Sequence, residues 1–160
     1  MTERTGTYTT PDGTAVHYEE HGEGLPVYVC HGGPTLSYTY MRQALEPVAR
    51  RCTLVYHDYR GCGRSGRAAP ETYRFEQLAA DLDGLRAFLG HQRIVLLAHS
   101  MGGFVFFAAL RFYRSGLPQA RFVTFPDVGH YPALEEPEAF TRELVQFLDG
   151  VPERRQGGER

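Results

Sequence analysis

Hydrophobic positions fall in two rhythms along the chain. Short apolar runs at Pro26–Cys30, Cys52–Tyr56 and Ile94–Ala98 read as buried strands. Phe75, Leu78, Ala79, Leu82, Leu85, Phe88 and Leu89 instead recur at helical spacing, which predicts an amphipathic helix lying on a sheet. Before the first run, Thr5–Thr10 and Thr14–Glu20 flank the turn signal Pro11-Asp12-Gly13 and predict a β-hairpin. Tyr38–Arg50 reads as a helix, with Pro47 marking its last turn or a kink. The apolar run from Gly103 through Leu110 reads as a buried helix that Arg114–Pro118 ends. A strand at Arg121–Phe125, a loop at Asp127–His130 and a last helix from about Glu136 to Leu148 follow, with Phe140, Leu144, Phe147 and Leu148 on its inner face. The expected architecture is one α/β domain over residues 1–150, with a mainly parallel sheet, flanking helices and an N-terminal β-hairpin. Residues 151–160 are expected to form a disordered polar tail.

The pattern is most informative where the Ile94–Ala98 strand meets the following helix. Ser100 stands at that turn, with Ala98, Gly102 and Gly103 supplying the small residues that close backbone approach requires. This is G-x-S-x-G with alanine in the first position, the form of a nucleophile elbow. A serine capping a helix after a strand is the plainer reading.

In a parallel α/β sheet, ligands bind at the carboxyl ends of the strands. Three loops are expected there: His31-Gly32-Gly33-Pro34, Ser100 with Met101, and His130. Their chemistry is complementary. A serine hydroxyl needs a base, which a neutral imidazole such as His130 supplies near pH 7. A tetrahedral intermediate needs preorganised donors, and the N–H of Met101 with one from Gly32 or Gly33 would provide them, each worth roughly 3 kcal/mol. Tyr38, Tyr40 and Phe104 fit either an apolar acyl pocket or core packing.

Composition narrows the partners. The 160 residues carry a net charge of −2 without a long basic or acidic block, which points away from nucleic acid and membrane surfaces and toward a small-molecule substrate. Cys30, Cys52 and Cys62 are odd in number and lack C-x-x-C spacing, arguing against a disulfide framework and a zinc site. The polar N-terminus lacks a signal-peptide core, so a cytoplasmic protein is expected. His17, His21, His57 and His91 lack metal-ligand spacing, and no cofactor or metal is expected. Gly61-x-Gly63-x-x-Gly66 matches the dinucleotide fingerprint. However, Arg67-Ala68-Ala69-Pro70 stands where its helix should begin, and no second strand ends in an acid at the required distance.

Taken together, His31-Gly32-Gly33-Pro34, Asp58-x-Arg60-Gly61-x-Gly63-Arg64-Ser65, Ala98-x-Ser100-x-Gly102-Gly103 and Gly129-His130-x-Pro132-x-Leu134-Glu135-x-Pro137 resemble the α/β-hydrolase fold. The first two are similar to prolyl-iminopeptidase-like members. The resemblance implies a serine hydrolase acting on carboxylic esters or small amide and peptide substrates through an acyl-enzyme. It implies Ser100 as nucleophile, His130 as base, and Gly33 and Met101 as oxyanion donors.

The departure from that pattern is as specific as the match. Family members place further core strands, a cap domain and the acid between nucleophile and histidine. Here only residues 101–129 intervene, and their single acidic residue is Asp127, the first candidate to orient His130, ahead of Glu135 or Glu136 downstream. The expected form is therefore compact and capless, with an activity weakened by an incomplete triad. The alternatives are an inactive binding module or a truncated product. The uncovered sheet edge would also favour association of two chains as a homodimer.

Overall fold

The computed structural model describes residues 3–113, 123 and 125–151. Its order is β1 (Glu3–Thr9), β2 (Ala15–Gly22), β3 (Pro26–Cys30), α1 (Thr39–Leu45), a 3₁₀ turn at Glu46–Arg50 and β4 (Thr53–His57). A 3₁₀ turn at Pro70–Thr72, α2 (Phe75–Phe88), β5 (Val95–Ala98), α3 (Gly102–Tyr113), α4 (Pro132–Glu135) and α5 (Pro137–Asp149) follow. The expected helix over 38–50 divides where Pro47 cannot supply an N–H, and its second half tightens to 3₁₀.

The hairpin forms because Thr10–Thr14 satisfies its own polar groups. Gly13 takes φ +84°, Gly13 N–H donates to Thr10 O at 2.9 Å, and Asp12 Oδ1 accepts the Thr14 N–H at 3.2 Å. The described strands lie in the order β1-β2-β4-β3-β5. The β1–β2 and β2–β4 pairings are antiparallel, and β4–β3 and β3–β5 are parallel. Among the described strands the sheet is thus mixed, with a parallel half at β4-β3-β5, because the expected hairpin joins it through β2. The expected strand at Arg121–Phe125 falls largely outside the described residues, as do the end of the elbow helix pattern at 114–118 and the tail from 152 onward.

Alternation along the central strands divides the core into two layers. Val27, Val29, Leu54 and Tyr56 face α1, its 3₁₀ extension and Leu148 of α5. Tyr28, Cys30 and Val55 face Leu78, Leu82 and Leu85 of α2 and Val105, Ala108 and Ala109 of α3. Each wholly buried Val or Leu contributes about 1.5–3 kcal/mol. Three residues expected on inner faces are exposed instead: Phe75 and Phe88 on α2, and Phe147 on α5. Phe88 borders the rings of Tyr8 and Tyr18, and Phe75 stacks on Phe104, so these side chains are engaged at the rim of the core.

Candidate active site

The register sets the site. β3 and β5 run parallel with Cys30 opposite Ala98, and the His99 N–H donates to Cys30 O at 3.0 Å. The 31–34 loop and the Ser100 turn therefore leave the sheet side by side. Ser100 has φ +52°, a left-handed conformation that a non-glycine residue holds only where its surroundings impose it. The turn closes through Gly102 N–H to His99 O and Gly103 N–H to Ser100 O, each 2.9 Å.

Gly102 is the residue this geometry demands. A Cβ there would lie 2.1 Å from Cys30 O. Gly103 faces open space, so close approach does not explain it. Ser100 is exposed, and its hydroxyl makes no hydrogen bond to a described residue. Burial pushes the thiols of Cys30, Cys52 and Cys62 up, to about 12, 11 and 11, which removes them as competing nucleophiles at neutral pH.

Gly32 packs directly on the turn: a Cβ on it would sit 3.0 Å from Ser100 Cβ and 3.0 Å from His99 Nδ1. Its N–H is already committed, donating to Tyr40 Oη at 2.8 Å. Gly33 comes next with φ +68°, and neither its N–H nor that of Met101 has an acceptor among the described residues. Of the two glycines left open on residue type alone, Gly33 is the one with a free donor. His31 braces this loop, its ring tilted against that of Tyr59 with centroids 4.2 Å apart and bonded through Nδ1 to Gly32 O at 2.9 Å; burial pushes its pKa down and favours the neutral ring.

Behind the loop, the 58–66 turn is tied down from several directions. The Asp58 carboxylate accepts N–H groups of Tyr38 and Arg64 at 3.3 and 2.9 Å, and Ser65 Oγ donates to Asp58 O at 2.6 Å. Arg60 is held by other carboxylates. Its buried guanidinium binds Asp81 through two bonds of 2.6 and 2.7 Å and Asp12 through one of 2.7 Å.

His130 lies in the loop before α4, exposed, with its ring 4.8 Å from the His99 ring. Its backbone is anchored on both sides. Gly129 and Tyr131 donate N–H bonds of 2.6 and 2.8 Å to the Glu135 carboxylate, which holds that carboxyl below its usual range. Asp127 is exposed with φ +59°, a conformation Asp tolerates, and among the described residues it forms no hydrogen bond or ion pair with His130. The structure therefore brings Ser100, Met101, Gly33 and the His130 loop to one edge, but not Asp127 to the imidazole.

Tyr40 is the residue that sequence reasoning undervalues. Its residue type and position suggest only pocket lining or core, yet its hydroxyl meets Gly32 on one side and His99 Nδ1, at 2.7 Å, on the other. His99 Nε2 reaches His130 O at 2.8 Å. Nothing in local spacing signals contacts that span 59 residues of chain. Of the other two aromatics, Tyr38 is wholly buried core and Phe104 is exposed. Two small cavities flank the turn. One of about 170 Å³ borders Pro34, Phe75, Leu78 and Met101, and one of about 130 Å³ borders Tyr40, His99, Tyr131 and Phe140. A wider groove, about 720 Å³, runs between Pro47 and Val145 and borders none of the candidate catalytic residues.

The family pattern described as the alpha/beta hydrolase fold matches residues 26–116. The chain belongs to the α/β-hydrolase family. It is similar to a non-heme haloperoxidase of Rhodococcus erythropolis, 36% identical over 95 residues that cover 59% of this chain and 34% of the relative. Among solved structures, a proline iminopeptidase-related protein from Thermus thermophilus matches with a TM-score of 0.65 at 33% identity, covering 71% of this chain and 42% of that one. A thermophilic esterase from Thermogutta terrifontis gives 0.62 at 35% identity, covering 69% and 42%. This α/β-hydrolase chain spans about a third of the length of the curated relatives it matches. The matched α/β-hydrolase segment contains the 31–34 loop and Ser100, and it ends before His130.

Proposed function

We propose that the chain is a serine hydrolase acting on carboxylic esters, and more slowly on small amide or N-terminal peptide substrates, through an acyl-enzyme at Ser100. The observation that carries this reading is the left-handed Ser100 turn packed on Gly32 at the end of two parallel strands. The Ser100 hydroxyl attacks the carbonyl carbon while His130 takes its proton. The oxyanion is held by the N–H groups of Gly33 and Met101. Collapse breaks the bond to the leaving alcohol or amine, which receives the proton from His130. Water, deprotonated by the same imidazole, then releases the acid and restores Ser100.

Among the described residues no carboxylate bonds to the His130 imidazole, and this sets the expected rate. Loss of the orienting acid lowers kcat by about 10⁴, while the oxyanion donors and binding retain roughly 10³–10⁴ over water. A second reading, a catalytically inactive binding module, is favoured by the lack of a carboxylate bonded to His130 among the described residues. Labelling of the folded chain with an alkyl fluorophosphonate separates the two. The hydrolase reading expects a stoichiometric adduct on Ser100, absent in Ser100→Ala and strongly slowed in His130→Ala. A folded chain that takes up no label overturns it.

A further inference from the structure

We propose that Tyr40 and His99 form a hydrogen-bonded strut that fixes the spacing between the 31–34 loop and the His130 loop, and so sets how fast Ser100 is acylated. The proposal rests on the hydrolase reading for its effect on rate, and on geometry alone for its existence. Polarity assigns every proton in the chain of bonds. The His130 carbonyl can only accept, so His99 Nε2 carries the hydrogen in the 2.8 Å bond between them. In a neutral ring Nδ1 is then an acceptor, so the Tyr40 hydroxyl, 2.7 Å away, donates to it. The same oxygen accepts the Gly32 N–H at 2.8 Å. The three bonds run in one direction, from Gly32 through Tyr40 and His99 to His130, and each polarises the next.

The strut joins three segments: the stretch from Gly32 to Tyr40, the turn at His99 and the His130 loop. Ring contacts support it: Tyr131 lies 4.9 Å from His99 and 5.9 Å from Tyr40. It stands where the site is otherwise weakest, since among the described residues no carboxylate bonds to the His130 imidazole, Glu135 acting on it only through its charge, and its loop is exposed. Tyr40 and His99 are positioning residues. Their loss should loosen the alignment of donor, nucleophile and base, and a misplacement of about 1 Å can cost on the order of 10²-fold.

The test combines two readouts on the full chain. The first is the second-order rate constant and final stoichiometry of alkyl fluorophosphonate labelling; the second is the two-bond ¹H–¹⁵N spectrum of the histidine rings. Tyr40→Phe keeps the ring packing and removes both hydroxyl bonds. His99→Leu removes both His99 bonds, and His99→Gln retains an amide donor toward His130 O. Tyr40→Phe and His99→Leu are expected to slow labelling by about 10–100-fold at unchanged stoichiometry. The double variant should be no slower than His99→Leu, and His99→Gln should lie closer to the parent. The parent spectrum should show His99 as the Nε2–H tautomer.

Rates within twofold of the parent, a lower stoichiometry at an unchanged rate, or an Nδ1–H tautomer at His99 would each overturn the strut. If the folded parent takes no label, the hydrolase reading fails by itself. The strut then stands if Tyr40→Phe shifts the His130 ring resonances, and falls with that reading if it does not.

Discussion

The two halves of the candidate site are held by different means. On the nucleophile side, the backbone is fixed from within: β3 and β5 are paired, Gly102 admits no Cβ against Cys30 O, and the neighbouring 58–66 turn is locked by buried charge. On the histidine side, the side-chain bonds that hold the described loop are exposed, two to Glu135 and one from His99. Exposed contacts of this kind have water as a competitor, whereas removing a partner from a buried one strands the other without solvent. The serine is therefore placed by the core and the histidine by its surface, so the two halves should fail under different perturbations.

The largest effect should come from the buried network. Arg60 has no exposed side-chain surface, and Asp81 is its main partner. Asp81→Ala leaves the guanidinium with only Asp12, whose side chain is 41% exposed. A stability loss of about 3–5 kcal/mol is expected from urea unfolding at neutral pH. A loss below about 1 kcal/mol, the range of surface pairs, would erase the distinction drawn between the halves.

A smaller and more local break targets the turn itself. Gly102→Ala places a methyl group 2.1 Å from a backbone oxygen, so the turn or β3 must shift, at a cost of roughly 1–3 kcal/mol, and fluorophosphonate labelling of Ser100 should fall sharply. Gly103→Ala meets open space within α3, where alanine is favoured over glycine by up to about 1 kcal/mol, and should leave labelling intact. Equal losses in both variants would mean that the close approach to Cys30 is not what constrains the motif.

That contrast also marks how far the sequence can be read. The hairpin, the central strands, α2 and the Ser100 turn are legible because each is written in local signals: Pro11-Asp12-Gly13, period-two and period-3.6 hydrophobicity, and small residues beside the serine. Which of Gly102 and Gly103 is sterically required is not legible, since the atom that decides it belongs to Cys30 on another strand. The partner of Arg60 is not legible for the same reason: Asp81 comes from α2, brought there by packing rather than by sequence proximity. Tyr40 shows the limit most clearly, because its role depends on Gly32 and His99 arriving together. Asp127 is selected by elimination, as the single acid in its span. Elimination carries no geometry, and the carboxylate that does engage this loop, Glu135, binds its backbone.

The smallest expected effect, on the histidine side, is the most discriminating. Glu135 is held below the usual carboxylate range because it accepts the Gly129 and Tyr131 N–H groups in the folded state. With a lowered folded pKa, the anchoring is fully present above the ordinary glutamate value and is lost as pH falls through the lowered one. Glu135→Gln removes the charge and one of the two acceptors at every pH. Amide exchange at Gly129 and Tyr131 should rise by roughly several-fold, while the amides of α2 and the urea midpoint stay where they are. The parent should acquire the same local exposure only under acid conditions below the glutamate range. If instead the variant lowers the urea midpoint together with the loop's protection, the His130 loop is coupled to the core after all, and the base is placed as firmly as the serine.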